Sequence, residues 1–306
     1  MSPLAGPPAL GDLALSLLRA LASFVGLWPR RWLAWAGAAL GFFAGSVLRI
    51  RRRDVDGAMA RAELRSDAAT AMYRGLGRGV FELLAVAGSR SMDRALDAVV
   101  FSPRFLEAFD DALAKGGVVL GVSHTANWEV GAFACARLLA TRERRLSIVA
   151  KRQSVGAFHV FCTQLRERAG IRVVAPDGGV TRAAATVLAE GDVLAMPIDQ
   201  VPDHSRHGTA ASFLGAPALV DRAPFAIAAR ARVDVLVVGC RRDGDRIHAE
   251  LLERIAPADV ALGPRRATAA LDAFVRENPS DWLWLHRRWR NGRAFPDATP
   301  TLVAVE

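Results

Sequence analysis

Apolar residues along this chain fall into two kinds of run. Near the start, residues 13–28 are apolar apart from Ser16, Arg19 and Ser23, and Pro29-Arg30-Arg31 ends the run. Trp32 to Leu48 then carries no charged residue, and Arg49, Arg51, Arg52 and Arg53 follow it. As a helix this second run is about 25 Å long at 1.5 Å per residue, against roughly 30 Å for the hydrocarbon core of a bilayer. It is short for a span and sufficient for a tilted or shallowly buried hairpin. Trp28, Trp32 and Trp35 stand where interfacial anchors stand, and the arginines would stay on the cytoplasmic side. The charges follow the apolar runs instead of preceding them, which argues against a cleaved signal peptide. The reading therefore sets residues 1–50 apart as membrane-anchoring helices and 51–306 as a globular domain.

Beyond residue 50 the period changes. Residues 55–88 read as helical and amphipathic, ending near Gly88, and a helix over 104–114 follows Ser102-Pro103, a cap with proline in the first turn. Gly116-Gly117 leads into Val118-Val119-Leu120-Gly121-Val122, a short apolar run typical of a strand buried on both faces. Similar runs recur at 146–150, 171–175, 193–196 and 235–238. Helical stretches at 128–140, 156–169, 180–190 and 221–231 lie between most of them. Such alternation predicts βαβ units. Residues 246–252 should add an edge strand after the Asp243-Gly244 turn, and 264–277 a last helix. The expected fold is α/β: a single domain with a mixed, mainly parallel sheet covered by helices, plus N-terminal membrane-associated helices.

Composition narrows the function. The 306 residues are 52% apolar, which suits a packed interior, and the net charge is +9. A basic surface fits anionic phospholipid, an acidic protein partner or nucleic acid. Nucleic acid ranks last, because no zinc-finger spacing is present and the basic clusters flank apolar segments instead of interleaving with aromatics. Cys135, Cys162 and Cys240 are widely spaced, form no metal-ligand pair or redox CxxC, and read as small buried hydrophobes.

The sharpest chemical signal is Ser123-His124-Thr125-Ala126-Asn127-Trp128-Glu129, at the end of the first buried strand. Sites in open α/β sheets form outside the carboxyl ends of strands. On one continuous helix, His124 and Glu129 would lie about 140° apart. They meet only if His124 precedes the helix and Glu129 opens it. Glu129 would then hold one imidazole nitrogen and leave the other to accept a proton. A histidine that caps a helix or packs on Trp128 is the competing explanation. Asn127 either orients an acceptor or bonds nearby backbone. His204, Arg206 and His207 form a polar loop that would face phosphate groups, without metal-site spacing. His286, among large apolar residues, reads as a satisfied structural histidine.

The surrounding pattern resembles the lysophospholipid-acyltransferase-like superfamily, with its His-x4-Asp/Glu signature, and most closely its bacterial lipid A (Kdo-lipid A) acyltransferase branch. Lys151-Arg152-Gln153 and Leu165-Arg166-Glu167-Arg168-Ala169-Gly170 are similar to the segment carrying that family's functional arginine, which falls on Arg166. Met196-Pro197-Ile198-Asp199-Gln200 resembles its Pro-Asp-Gln strand end, and Ser212-Phe213-Leu214-Gly215 its Phe-Phe-Gly motif before a hydrophobic helix. Asp281 to Trp289 resembles the C-terminal Trp-Leu-Trp-x-His-Arg-Arg-Trp segment. The likeness covers residues 30–292. An asparagine frequent in the family after the arginine cluster is missing; Ala58 stands nearby.

The resemblance implies O-acyl transfer from a thioester, with His124 as general base and Glu129 orienting it. Arg166 would stabilise the oxyanion or bind an acidic group of a substrate. Asp199 would orient Arg166, position substrate or cap the following loop. The implied donor is acyl-acyl carrier protein, and the implied acceptor is a hydroxyl of a lipid A precursor at the cytoplasmic face of the inner membrane. No metal or organic cofactor is implied. Two other readings compete. One is an acyltransferase for another glycolipid or phospholipid, such as a mannosylated inositol lipid, using acyl-CoA. The other is a non-catalytic lipid-binding protein on a decayed fold.

Overall fold

The computed structural model describes residues 8–65, 67–89, 92, 96–150, 156–175, 179–202, 207–286, 288 and 289. Short apolar runs become strands because valine, isoleucine and leucine fill both faces of a covered sheet. Val99–Phe101 (β1), Val118–Val122 (β2), Leu146–Val149 (β3), Arg172–Val174 (β4), Val193–Pro197 (β5), Val235–Asp243 (β8) and Arg246–Ile255 (β9) form a seven-stranded sheet. Its order is β1-β9-β8-β2-β5-β3-β4. Every neighbouring pair is parallel except β8 with β9. The mixed, mainly parallel α/β sheet is thus as the alternation predicts.

Three details differ. β9 is not an edge strand, because β1 pairs along its outer side. Gly208–Phe213 (β6) and Ala216–Asp221 (β7) form a separate antiparallel hairpin that the hydrophobic pattern does not announce. Its turn is Leu214-Gly215, both at positive φ (50° and 76°). Leucine is costly in that conformation, and the Asp272 carboxylate, accepting from the Leu214 N–H, holds it there. The expected helical stretch 55–88 is two helices, Arg52–Arg61 (α3) and Asp67–Gly88 (α4). Glu63, at φ 58°, turns the chain between them.

The remaining helices are Pro8–Val25 (α1), Arg30–Phe42 (α2, continued by a π-turn at Phe43–Val47), Pro103–Lys115 (α5), Trp128–Ala140 (α6), Gly156–Arg168 (α7), Val180–Ala189 (α8), Ala223–Ala231 (α9) and Gly263–Glu277 (α10). Strand alternation sorts them into two layers. Val118 and Leu120 enter the core with Phe105 and Phe109 of α5 and Phe133 of α6. Val119, Leu194 and Met196 enter the opposite core with α8, α9 and α10.

At the N-terminus, α1 and α2 pack on α4, and α1 also meets α7. The α2–α4 approach needs glycine: a Cβ on Gly41 would stand 1.9 Å from the Tyr73 carbonyl oxygen, and one on Gly77 2.1 Å from that of Gly37. The outward side is apolar, with Leu17, Phe24, Leu27, Trp32 and Trp35 exposed. Among the described residues, no single helix is long and apolar enough to cross a membrane. Arg30–Val47 and Arg52–Arg61 have the length and composition only together, and they meet at 88°.

Candidate active site

Two strand ends build the centre of the site. In the parallel pairing of β2 with β5, Val122 stands opposite Pro197. His124 and Asp199 each follow two residues later, so register alone carries them to the same place at the carboxyl edge of the sheet. His124 Nδ1 donates to Asp199 Oδ1 at 2.9 Å. The His124 backbone N–H donates to Oδ2 at 2.7 Å, and Trp282 Nε1 donates to the same oxygen at 3.0 Å. The Asp199 side chain is fully buried, while that of His124 is 18% exposed.

The C-terminal segment fixes the turn that holds His124. Leu283 N–H donates to the His124 carbonyl at 2.9 Å, Ala126 N–H donates to the Asp281 carbonyl at 2.7 Å, and Thr125 bridges Trp282. Ala126 sits at φ 47°, a conformation an alanine keeps only when its surroundings over-determine it. Below the turn, Thr125 Oγ1 accepts from Cys240 N–H at 2.8 Å, tying the histidine loop to β8.

Electrostatics follow from these contacts. Burial opposes a charge on the imidazole, but the attraction and hydrogen bond of Asp199 outweigh it, leaving the His124 pKa above the ordinary histidine value. Burial likewise opposes ionisation of Asp199, and the protonated form of His124 together with its N–H donors overrides that, holding the carboxyl well below the usual range. Nδ1 engaged by a carboxylate fixes the tautomer and leaves the Nε2 lone pair as the proton acceptor. The Gln200 amide nitrogen lies 3.2 Å from Nε2. Trp128 and His286 pack their rings against the imidazole at 4.9 and 4.8 Å between centroids.

Glu129 does not take the part expected of it. Opening α6 from its second residue, it faces α7, and both its oxygens are taken by Arg166. Nε donates to Oε2 at 3.1 Å and a terminal nitrogen donates to Oε1. The partner of the histidine is instead Asp199, and Arg166 is oriented by Glu129 rather than by Asp199. The Arg166 pair is no surface ion pair: the arginine is 6% exposed. Burial would lower the arginine pKa, but the Glu129 hydrogen bond and charge raise it, so the guanidinium stays charged.

Asn127 follows the local-backbone alternative. Its Oδ1 accepts from Val130 N–H at 3.4 Å as the cap of α6, and its Nδ2 donates to Gly79 O and Glu82 Oε2 on α4 at 3.2 and 2.8 Å. Glu82 also receives both terminal nitrogens of Arg242, a link from α4 to β8 that the sequence reading did not single out. His286 is not satisfied as expected: its Nε2 is buried without a partner, and burial lowers its pKa to about 4, so it is neutral near pH 7. Lys151 to Gln153, His204, Arg206 and Arg287 lie outside the described residues; His207 is exposed and lines the cavity below. The three cysteines are buried and unpaired, with Cys135 and Cys240 pushed by burial to about 12.

His124, Asp199 and His286 bring ligand-capable atoms within 4.8 Å of one another, a grouping of metal-binding type. Here Asp199 spends both oxygens on N–H donors. His124, Glu129 and Arg166 all line one cavity of about 1670 Å³. It bends round the carboxyl edge of the sheet. Its lining falls on both faces of the sheet: Gly131, Ala132 and Cys135 of α6 line one part, the α6 branch, and residues of α8 and α9 line the other, the α8–α9 branch. A poised base, a buried charged donor and a long apolar cavity suit attack by a hydroxyl on an acyl group.

A family model described as bacterial lipid A biosynthesis acyltransferase matches residues 13–291. No curated protein matches the chain.

Proposed function

We propose that this chain, which belongs to the bacterial lipid A biosynthesis acyltransferase family and is an acyltransferase, moves a fatty acyl group from acyl-acyl carrier protein to a hydroxyl of a lipid A precursor. The observation that carries the mechanism is the His124–Asp199 pair opening onto the apolar cavity. In this reading Nε2 of His124 removes the acceptor's proton as its oxygen attacks the thioester carbonyl. The tetrahedral oxyanion meets N–H donors in a dry site, for which Arg166 is the candidate. Collapse breaks the carbon–sulfur bond, and the imidazolium returns its proton to the departing thiolate. The acyl chain occupies the apolar part of the cavity beside α6, lined by residues such as Ala132, Cys135 and Leu120.

The acceptor lies in a membrane, and the exposed apolar side of α1 and α2 supports docking there, at the cytoplasmic face of the inner membrane. Leu27 and Trp35 are 81% and 76% exposed, and arginines flank the patch at 30, 31, 49, 51 and 53. A contiguous apolar surface of this kind marks an interaction site. Acyl transfer to purified lipid A precursor, followed by mass spectrometry, tests the activity. Absence of transfer from every acyl thioester to that acceptor, with a folded enzyme, would overturn the acceptor assignment. Replacing Trp32 and Trp35 by serine should weaken binding to anionic vesicles by about tenfold; unchanged vesicle binding would remove the docking surface.

A further inference from the structure

The cavity gives the reaction two approaches of different character. The α6 side is roofed by Leu76 and Val80 of α4, the helix on which α1 and α2 pack with their exposed apolar surface. The other branch lies across the sheet, where Ala223, Ala226, Ile227 and Arg230 of α9 all face the cavity. Their spacing of three, four and seven residues puts them on one helix face. Thr181 of α8 and Pro264 line the same part of the cavity, and Arg230 is exposed, as is Arg222 at the start of α9. Asp221, the acid lining this branch, accepts from the Ala223 N–H at the start of α9.

We propose that the α8–α9 branch receives the phosphopantetheine arm of the donor thioester, with Arg230 binding its phosphate. The inference rests on the acyltransferase reading and adds the donor's route. A phosphopantetheine arm is a thin, flexible chain with a thiol at one end and a phosphate at the other. It needs a narrow channel leading to the base and a cation at the outer end. This branch supplies a lining with small residues, Ala223 and Ala226, and an exposed cation, Arg230, on the face of the sheet opposite α6. The thioester then sits at the sheet edge beside His124, the acyl chain continues past α6, and the membrane-borne acceptor enters from the α4 side. Coenzyme A and a carrier protein share the arm, so the chemistry fits either.

Labelling of engineered cysteines tests the route without relying on turnover. Cys135, Cys162 and Cys240 are buried, so Ala226→Cys and Val80→Cys each present an exposed thiol to maleimide. Coenzyme A or holo-carrier protein should slow labelling at 226 by about tenfold or more, and whichever protects at lower concentration is the donor form. Apo-carrier protein and acceptor-lipid vesicles should leave position 226 reactive, while the vesicles protect position 80. Protection of 226 by neither donor form, equal protection by apo-carrier protein, or protection by lipid would overturn the proposal. If coenzyme A protects 226 and no acyl transfer is found, the channel stands and the acyltransferase substrate assignment fails. Transfer without protection has the reverse meaning. Independently, Arg230→Glu should raise the donor KM about tenfold with kcat within about twofold; a fall in kcat at unchanged KM would count against a binding role.

Discussion

Asp199 reaches His124 across two neighbouring strands, and Glu129 reaches Arg166 across two helices. Each joins an acid to a base with one member buried, Asp199 in the first and Arg166 in the second, and His124, Glu129 and Arg166 line the same cavity. They differ in what holds them and in what they can do. Asp199 takes three N–H donors, two from His124 itself and one from Trp282, so strand register, the histidine turn and the C-terminal segment all fix it. The Glu129–Arg166 pair depends on two side chains meeting in a forked geometry. An imidazole titrates in the range where the protein works, whereas a guanidinium does not. The first pair can therefore carry a proton through a reaction cycle. The second supplies a fixed positive charge and must keep its partner to remain stable. The two neighbouring acid–base pairs are thus not interchangeable, and the sheet decides which one is the chemical pair.

The strongest way to break this comparison is His124→Ala. Losing the proton acceptor should lower kcat by roughly 1,000- to 10,000-fold while donor and acceptor binding change little. Steady-state kinetics on the folded variant check this. Activity near that of the unaltered enzyme would leave the strand-edge pair with no chemical role.

Asp199→Asn should come next, with a loss of roughly 100-fold or more, because the amide no longer fixes the tautomer that leaves Nε2 free. It also carries a sign in pH. Asp199 raises the His124 pKa, so the unprotonated base of the normal enzyme appears only above about 6.5, the ordinary histidine value. The rising limb of kcat/KM against pH should lie on that alkaline side and shift toward acid in Asp199→Asn. Stability follows the same linkage. The raised His124 contributes fully below about 6.5 and loses its contribution as pH climbs through the folded-state value. The depressed Asp199 contributes above about 3.9 and loses its share as pH falls below that. A limb that does not move would show that the carboxylate does not act through the imidazole.

The sequence made much of this arrangement legible, for physical reasons. Runs such as Val118–Val122 and Val193–Pro197 are unambiguous because both faces of each strand are buried. The α6 boundaries also agree with the pattern. Asp199 and Arg166 were visible as candidates, but their partners were crossed. Chain proximity favours Glu129 as the partner of His124, and only the pairing of β2 with β5 places Asp199 beside it. That register could have been guessed from two polar residues each standing just beyond a buried apolar run. β1 escaped notice because three residues carry no period. The β6–β7 hairpin escaped because Leu214-Gly215 is a poor turn signal until Asp272 is there to hold the leucine. The break after Arg61 in the long amphipathic stretch depends on a glutamate at positive φ, which helix periodicity does not report.

Glu129→Ala and Arg166→Ala sharpen the comparison from the other side. Each strands a buried charge, so each should destabilise the fold by about 3–5 kcal/mol, seen as a fall in the thermal midpoint. In fully folded protein at low temperature, Glu129→Ala should keep measurable turnover, about ten- to a hundredfold down, because His124 retains Asp199. Arg166→Ala should raise KM if the guanidinium binds substrate and lower kcat alone if it meets the oxyanion. A Glu129→Ala loss equal to that of His124→Ala would restore the glutamate to the proton-transfer chain.

The smallest effect expected concerns Gln200. Its amide nitrogen stands 3.2 Å from Nε2, on the nitrogen that must accept the acceptor's proton. A neutral donor at that place does two opposing things. It holds the imidazole plane steady, and it occupies the lone pair that the hydroxyl has to reach. Removing one neutral hydrogen bond changes free energy by about 1 kcal/mol, and the two consequences offset each other. Gln200→Ala should therefore alter kcat/KM by no more than about fivefold in either direction, with the pH limb unmoved because the charge beside His124 is unchanged. Gln200→Glu separates the two contributions. A second carboxylate against the ring would raise the imidazole pKa further and shift the limb toward alkaline pH, opposite to Asp199→Asn. A loss in Gln200→Ala comparable to that of Asp199→Asn would mean that the amide, and not the carboxylate, sets the orientation of the base.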